Sequence, residues 1–333
     1  MFILNIKKST IILILFAILI IGLALAIITF KLTLVKTNNS NPNYFLGGTL
    51  TSCNFNLNND IMTNNLNKDF LENTRFRRPS SSSNVLNNNY DFSKKYIISS
   101  PSELICTYYG ILQSASNIYD YCIGCGTVGN ALEPYPYAYN LLSSNYIKNL
   151  PLNLFIDSFK GIGHINLLNL YPVLIPNSNN KIYYMVELEV LTGIKKECSD
   201  NSCKNSSSLF GYYYGIVEVS NDNGYKIENI NYISEDFLCA PYHGWIYDYN
   251  NILNIIYKEN LKMIDKITDV QINKNIITAY ANGNNNSYKF EFIRITNGYD
   301  ILLNEYILED NCWMPTSLLK DSFNNVKLVN NFI

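Results

Sequence analysis

The chain carries eight cysteines and only two histidines in 333 residues, so its options for nucleophilic, redox or metal chemistry can be weighed one by one. Cys122-Ile123-Gly124-Cys125 has the spacing of a disulfide, a redox pair or half of a zinc site. A zinc site wants a second such pair or two nearby histidines, and neither accompanies it. A redox pair normally opens a helix after a strand, whereas this one sits in a glycine-rich loop. A structural disulfide is the simplest reading. Cys198 and Cys203 flank a polar Ser-Asp-Asn-Ser tip between two strand-like stretches, which suits a local disulfide. Cys239 and His243 stand four apart, and a Cys–His pair can generate a nucleophile. Pro241 lies between them and argues against a shared helical face; a tight turn packing Trp245 explains the same residues. His164, beside Gly161 and Gly163 at the start of a strand, reads as structural. Glu187 and Glu189 share one face of a strand, and paired catalytic carboxylates would need a cleft there. That face is expected to be exposed to solvent.

No phosphate-binding loop, GxSxG elbow, HExxH pair or dinucleotide fingerprint occurs. With 25 basic and 27 acidic residues the net charge is -2, which provides no strong pull toward nucleic acid or acidic lipid. The cluster Arg75-Phe76-Arg77-Arg78-Pro79 is short and reads as a solvated run. The expectation is therefore no catalytic residue, no metal, no cofactor and no nucleic-acid partner, with Cys239 and His243 as the least implausible functional pair and the ligand unassigned.

These residues must be positioned by a body, and the sequence places that body behind a membrane anchor. Residues 11–30 form an apolar run of 20 positions, which as a helix would span roughly 30 Å, the depth of a hydrocarbon core. Lys7 and Lys8 precede it, and a short basic tail of residues 1–10 is expected to stay in the cytoplasm, leaving the rest outside. Two rival readings fit less well. Ala24-Leu25-Ala26 resembles a signal-peptide cleavage site but lies within the apolar run. Leu50-Thr51-Ser52-Cys53 resembles a lipobox, yet a polar stretch separates it from the run. An even cysteine count suits an oxidising exterior.

Residues 31–95 are rich in Asn and Ser and read as a flexible tether, about 60 residues reaching roughly 40 Å. Short apolar islands such as Tyr44-Phe45-Leu46 are candidates for docking onto the body. The first folded unit, 96–236, opens at Ser100-Pro101-Ser102-Glu103, a capping box with proline at the first helical position. Leu104, Tyr108, Ile111 and Ala115 then share one helical face. Further helices are expected near Tyr137–Ile147 and Leu152–Phe159. Four strand patterns follow, at Ile165–Ile175, Ile182–Leu191, Phe210–Val219 and Tyr225–Ile233. The second unit, 237–320, has a helical stripe of Leu253, Tyr257, Leu261, Ile264 and Ile267, with Lys258, Glu259 and Lys262 outside it. Three strands are expected after it: Val270–Ala281, Tyr288–Ile295 and Tyr299–Leu308. Residues 321–333 read as a tail.

The order of a capped helix with Thr-Tyr-Tyr-Gly-Ile-Leu at 107–112, then Ala-Tyr-Asn-Leu-Leu-Ser at 138–143, Phe155 and Phe159, and a meander of long strands resembles the nuclear transport factor 2-like, or cystatin-like cone, superfamily. The likeness is nearest to its membrane-tethered extracytoplasmic members in Gram-positive bacteria. It covers about residues 96–236 and implies helices packed into the concave face of a bent sheet, around a cone that is either open or filled. Such tethered domains resemble components of conjugation and secretion machines. The fold class expected is α+β: a transmembrane helix, a cone-fold helices-plus-curved-antiparallel-sheet domain, and a smaller helix-plus-three-strand unit. The function expected is a membrane-anchored, extracytoplasmic, non-catalytic binding or assembly module that meets another envelope protein or its own copy. The alternative is a small-molecule-binding or enzymatic cone-fold protein. An open cone lined by convergent polar groups would favour the alternative; a cone filled by Tyr and Leu would favour the first.

Overall fold

The computed structural model describes residues 44–51, 96–123, 131–176, 178, 181–195, 209–221, 224–235, 247–319 and 326–328. The apolar run 11–30, the arginine cluster, and Cys125, Cys198, Cys203, Cys239 and His243 lie outside them. Among the described residues no helix is long and apolar enough to cross a membrane.

The described residues form a mixed α+β fold within one compact unit that begins at Tyr44. Its main helix, α1 (Pro101–Gln113), starts where the sequence places it. Ser100 is extended at φ -145 and its hydroxyl accepts the Glu103 N–H at 3.2 Å. The Glu103 carboxylate reaches back one residue beyond the cap and accepts from the Ser99 N–H at 2.9 Å. Leu104, Tyr108, Ile111 and Ala115 are all buried as the spacing requires, and Ile105, Tyr109 and Leu112 are buried with them. The helix is therefore packed around much of its circumference, not along one stripe.

The single helix expected at Tyr137–Ile147 is two short ones, α2 (Tyr135–Tyr139) and α3 (Ser144–Asn149). Ser143 breaks them apart. Its backbone is extended (ψ 159), its N–H donates to Ile227 O at 2.8 Å, and its hydroxyl accepts from Tyr146 N–H to cap α3. A short α4 (Leu152–Asp157) follows. These helices cover one face of a six-stranded sheet whose long members are β4 (Ile162–Val173), β5 (Ile182–Thr192), β7 (Leu209–Ser220) and β8 (Lys226–Ser234). A minor pair, β3 (Tyr121–Cys122) with β6 (Ile194–Lys195), stands apart.

The six-stranded sheet runs β1-β2-β8-β7-β5-β4, and its first two strands come from the stretch expected to be tether. Within the stretch expected to be a tether, the apolar island Tyr44-Phe45-Leu46 is docked on the body. β1 (Tyr44–Phe45) and β2 (Gly48–Leu50) form a hairpin, and β2 pairs in parallel with β8, setting Thr49 opposite Asn231. Leu46, at the hairpin tip, is fully buried. An apolar tripeptide that can bury itself on a preformed sheet edge overrides the disorder tendency of its Asn/Ser-rich surroundings.

The C-terminal part is a meander of five strands, not three: β9 (Lys266–Asn273), β10 (Ile276–Gly283), β11 (Asn286–Arg294), β12 (Asp300–Glu309) and β13 (Cys312–Thr316). The expected strand Val270–Ala281 is a hairpin folded at Lys274, whose φ of 53 turns the chain. Asp310 and Asn311, at φ 47 and 63, make the further tight turn that adds β13. That strand carries Pro315 at the sheet edge, where no ladder donor is needed. The helix before the sheet is also shorter than the stripe implied. It begins as α5 (Tyr249–Asn251) and continues in wider π turns over Ile252–Asn260, closing with Leu261 N–H on Ile256 O. Ile252, Leu253, Ile256 and Tyr257 face the sheet, while Ile267 belongs to β9.

Three cores result. One lies between α1–α4 and the first sheet, and one lies between the π-helical segment and the second sheet. The third joins the two sheets: Val173, Met185, Tyr214, Ile216 and Ile233 pack with Ile293, Ile301, Leu303 and Leu328. The C-terminal residues that were read as a tail take part in it. Lys327 bridges to Leu302 in the backbone, and Leu328 is fully buried.

Candidate functional site

Two regions could house chemistry: the interior between the helices and the first sheet, and the opposite face of that sheet, where Glu187 and Glu189 point.

The interior between the helices and the first sheet is occupied by the protein's own side chains. Tyr108, Tyr109, Tyr232, Phe155 and Phe159 are fully buried there; Phe155 meets Phe159 edge-on at a centroid distance of 5.1 Å, and Tyr135 lies tilted against Phe159 at 4.7 Å. The hairpin tip closes the mouth. Leu46 N–H donates to Ser158 O at 3.2 Å, Gly47 N–H to Ser158 Oγ at 2.9 Å, and the Tyr146 hydroxyl donates back to Gly47 O at 2.9 Å. Gly47 is required there. Its φ is +74, and a Cβ would sit 2.5 Å from the Tyr108 hydroxyl and 2.6 Å from the Phe155 ring. The Tyr109 and Tyr232 hydroxyls share a hydrogen bond at 2.8 Å. Burial raises the pKa of all four tyrosines at this end, Tyr108, Tyr109, Tyr146 and Tyr232. Their phenols stay neutral, so they cannot serve as bases near neutral pH. Among the described residues the buried Tyr108 hydroxyl has no hydrogen-bond partner, a cost the surrounding aromatic packing must cover.

The opposite face corrects the expectation that Glu187 and Glu189 are exposed. Glu187 is 0% and Glu189 8% exposed; the β11–β12 turn of the second sheet covers Glu187, and Tyr212 of the neighbouring strand lies against Glu189. Each carboxylate is satisfied. Glu189 accepts from the Tyr212 hydroxyl at 2.8 Å. Glu187 Oε1 accepts from Thr296 N–H at 2.8 Å, and its Oε2 takes a short bond from the Asn169 amide. Asn169 in turn accepts from Asn275 at 3.2 Å. Beside this pair lies Glu235, just past β8, whose Oε2 accepts Asn297 N–H at 3.0 Å. Two carboxyl groups of the first sheet thus hold two consecutive N–H groups of a turn in the second.

Burial, then the adjacent Glu187 charge, holds the Glu235 pKa well above the ordinary carboxylate range. The sign of the consequence follows from linkage. A carboxyl whose folded pKa is raised contributes stability that is complete below its unfolded value, near 4.5, and is lost as pH rises through the folded value. Glu235→Gln, which mimics the protonated group, is expected to flatten the decline of stability above pH 4.5 and to gain on the native protein at alkaline pH. Urea midpoints at pH 5, 7 and 9 would check this, and parallel pH profiles for the two proteins would contradict it. Chemically, the arrangement is a latch between sheets: Glu187 and Glu235 each accept a turn N–H and are buried, out of reach of a substrate.

Thr296-Asn297-Gly298 is legible in the sequence as a turn, but nothing local joins it to Glu187 or Glu235, since the partners lie 109 and 62 residues apart along the chain. His164 sits half-buried in β4 opposite Leu191. Cys122 is buried, while Cys106 and Cys312 are free thiols. No two described cysteines are joined to each other. Burial, then the Glu103 charge, raises the Cys106 thiol pKa, which makes it a poor nucleophile. Among the described residues no group of three His, Cys, Asp or Glu side chains is placed to hold a metal ion.

No family model matches the chain, and no curated protein matches it. Among solved structures, an Ntf2 like protein involved in plasmid conjugation is similar at 9% identity and a TM-score of 0.18, over 52% of this chain and 85% of that one. A likeness of that size carries no argument about what this chain does.

Proposed function

We propose that this protein is a membrane-anchored, extracytoplasmic binding or assembly module of the nuclear transport factor 2-like type, held near the membrane by residues 11–30 and working through its surfaces, not through its cone. The observation that carries this reading is the filled cone. Tyr108, Tyr109, Tyr232 and Phe155 occupy the concave interior and Leu46 closes its mouth, so the place where such a fold would admit a small molecule is taken by the chain itself. The buried carboxylates on the other face are committed to joining the two sheets. Surfaces remain for function, and the partner is another envelope protein or a second copy. In this reading Cys122 pairs with Cys125, and Cys198 with Cys203, as suits the oxidising side of a membrane.

Cys312 makes the placement testable, because it is an exposed free thiol at the start of an edge strand. A membrane-impermeant maleimide is expected to label the full chain on intact cells without prior reduction, and Cys312→Ser is expected to lose most of that label. Labelling of Cys312 only after permeabilisation would put the body in the cytoplasm and overturn the proposal.

A further inference from the structure

The second sheet has two faces, and only part of one is left without a structural role. Its inner face, with Ala279, Phe290 and Phe292, meets the π-helical segment. One end of its outer face, with Ile293 and Leu303, meets the first sheet. The other end of the outer face lies open, and the strand registers show what it displays. Asp269, Tyr280, Lys289 and Tyr306 stand in one row across β9, β10, β11 and β12. Asn282 opposite Ser287, and Leu308 opposite Trp313, fall on the same side. A shallow groove runs here, walled by Tyr280 and Trp313 with ring centroids 5.8 Å apart and tilted by 51°, and rimmed by Asp269, Gln271, Asn282 and Ser287.

The charges in this region decide what could occupy it. Lys289 is the cation nearest the rings, 3.7 Å from the Tyr306 centroid and 6.0 Å from that of Trp313, and it is paired with Glu291 at 3.1 Å. Only 15% of its side chain is exposed, so it fixes the ring geometry and offers little to an anion. Asp269 accepts from the Gln271 amide at 2.9 Å, and that bond leaves the rim with amide, hydroxyl and carboxylate groups whose donors and acceptors are interleaved. Half-buried ring faces beside interleaved planar polar groups match a ligand with C–H faces and vicinal hydroxyls. The exposed Lys266 stands opposite Asn282 on this face, but the groove lining itself carries no cation, and its Asp269 carboxylate would oppose a phosphate. An apolar helix would leave the exposed Asn282, Asp269 and Gln271 unsatisfied.

We propose that this groove binds a neutral glycan, with sugar rings stacked on Tyr280 and Trp313 and hydroxyls held by Asp269, Gln271 and Asn282. The groove is remote in sequence and in sheet from the cone, so its test is independent of the membrane placement. The experiment is calorimetric titration of the full chain, in a detergent without a sugar headgroup, with the tetramers of N-acetylglucosamine and of glucose. Saturable binding of at least one tetramer is expected, weakened tenfold or more by Trp313→Ala and by Tyr280→Ala. Asn282→Ala and Gln271→Ala alter exposed side chains and leave the fold intact; at least threefold weakening by either keeps the proposal secure from a folding artefact. Absence of saturable binding to both tetramers would overturn it, and so would binding that all four substitutions leave unchanged. Capture of peptide at this groove in place of either tetramer would equally refute it.

Discussion

Replacing Lys327 by alanine is expected to destabilise the protein by about 3–5 kcal/mol. Lys327 is 2% exposed and its ammonium lies 2.7 Å from Glu305 Oε2, a carboxylate that is itself 1% exposed. Glu305 also accepts from the Tyr257 hydroxyl at 2.6 Å and from Leu318 N–H at 3.3 Å. Removing the lysine leaves a buried negative charge with only neutral donors, and that uncompensated desolvation is the source of the loss. The same reasoning sets the control. Lys327→Met with Glu305→Gln removes both charges while keeping volume and an acceptor, and should recover most of the stability. Urea midpoints of the single and double variants measure both effects. A single-variant loss under about 1 kcal/mol, or losses that simply add, would show that the pair is not coupled as described.

The hairpin tip predicts the second large effect. Leu46→Ala is expected to cost about 2–5 kcal/mol, the range for emptying a buried leucine site. Gly47→Ala should be at least comparably harmful, because its backbone is in the left-handed region and its new methyl would meet Tyr108 and Phe155 inside van der Waals contact. Tyr108 sits on α1 and Phe155 on α4, so neither can withdraw without disturbing the helix layer. If Leu46→Ala left the urea midpoint unchanged, the segment would not be part of the core.

Local signals in the sequence carried most of the first unit. The capping box at Ser100 and the strand patterns over Ile182–Leu191 and Phe210–Val219 each name an element that the structure contains. What stayed hidden was everything decided by distant partners. Tyr44–Leu46 looks like an island in a polar tether until β8 offers it an edge. Glu187 alternates as a solvent-facing residue would, and only the β11–β12 turn, 109 residues on, makes it buried. The break at Ser143 depends on Ile227 in the same way. In the second sheet the error had a different origin: Lys274 is not a residue that advertises a left-handed turn, so two strands read as one. The groove residues Tyr280 and Trp313 gave no signal of their own because they meet only across β10–β13 of the folded meander.

The hairpin at 44–50 closes over the core between the helices and the first sheet, and amide hydrogen exchange on the full chain tests that most directly. The amides of Leu46, Gly47 and Thr51 donate to Ser158 O, Ser158 Oγ and Tyr232 O, respectively. Protection of a peptide spanning residues 44–51 that approaches the protection of α1 and β8 is the predicted result. Exchange of that peptide at the rate of an unstructured chain, with α1 and β8 still protected, would contradict it: the cone would then have an open mouth and the case for a surface-working module would lose its main support.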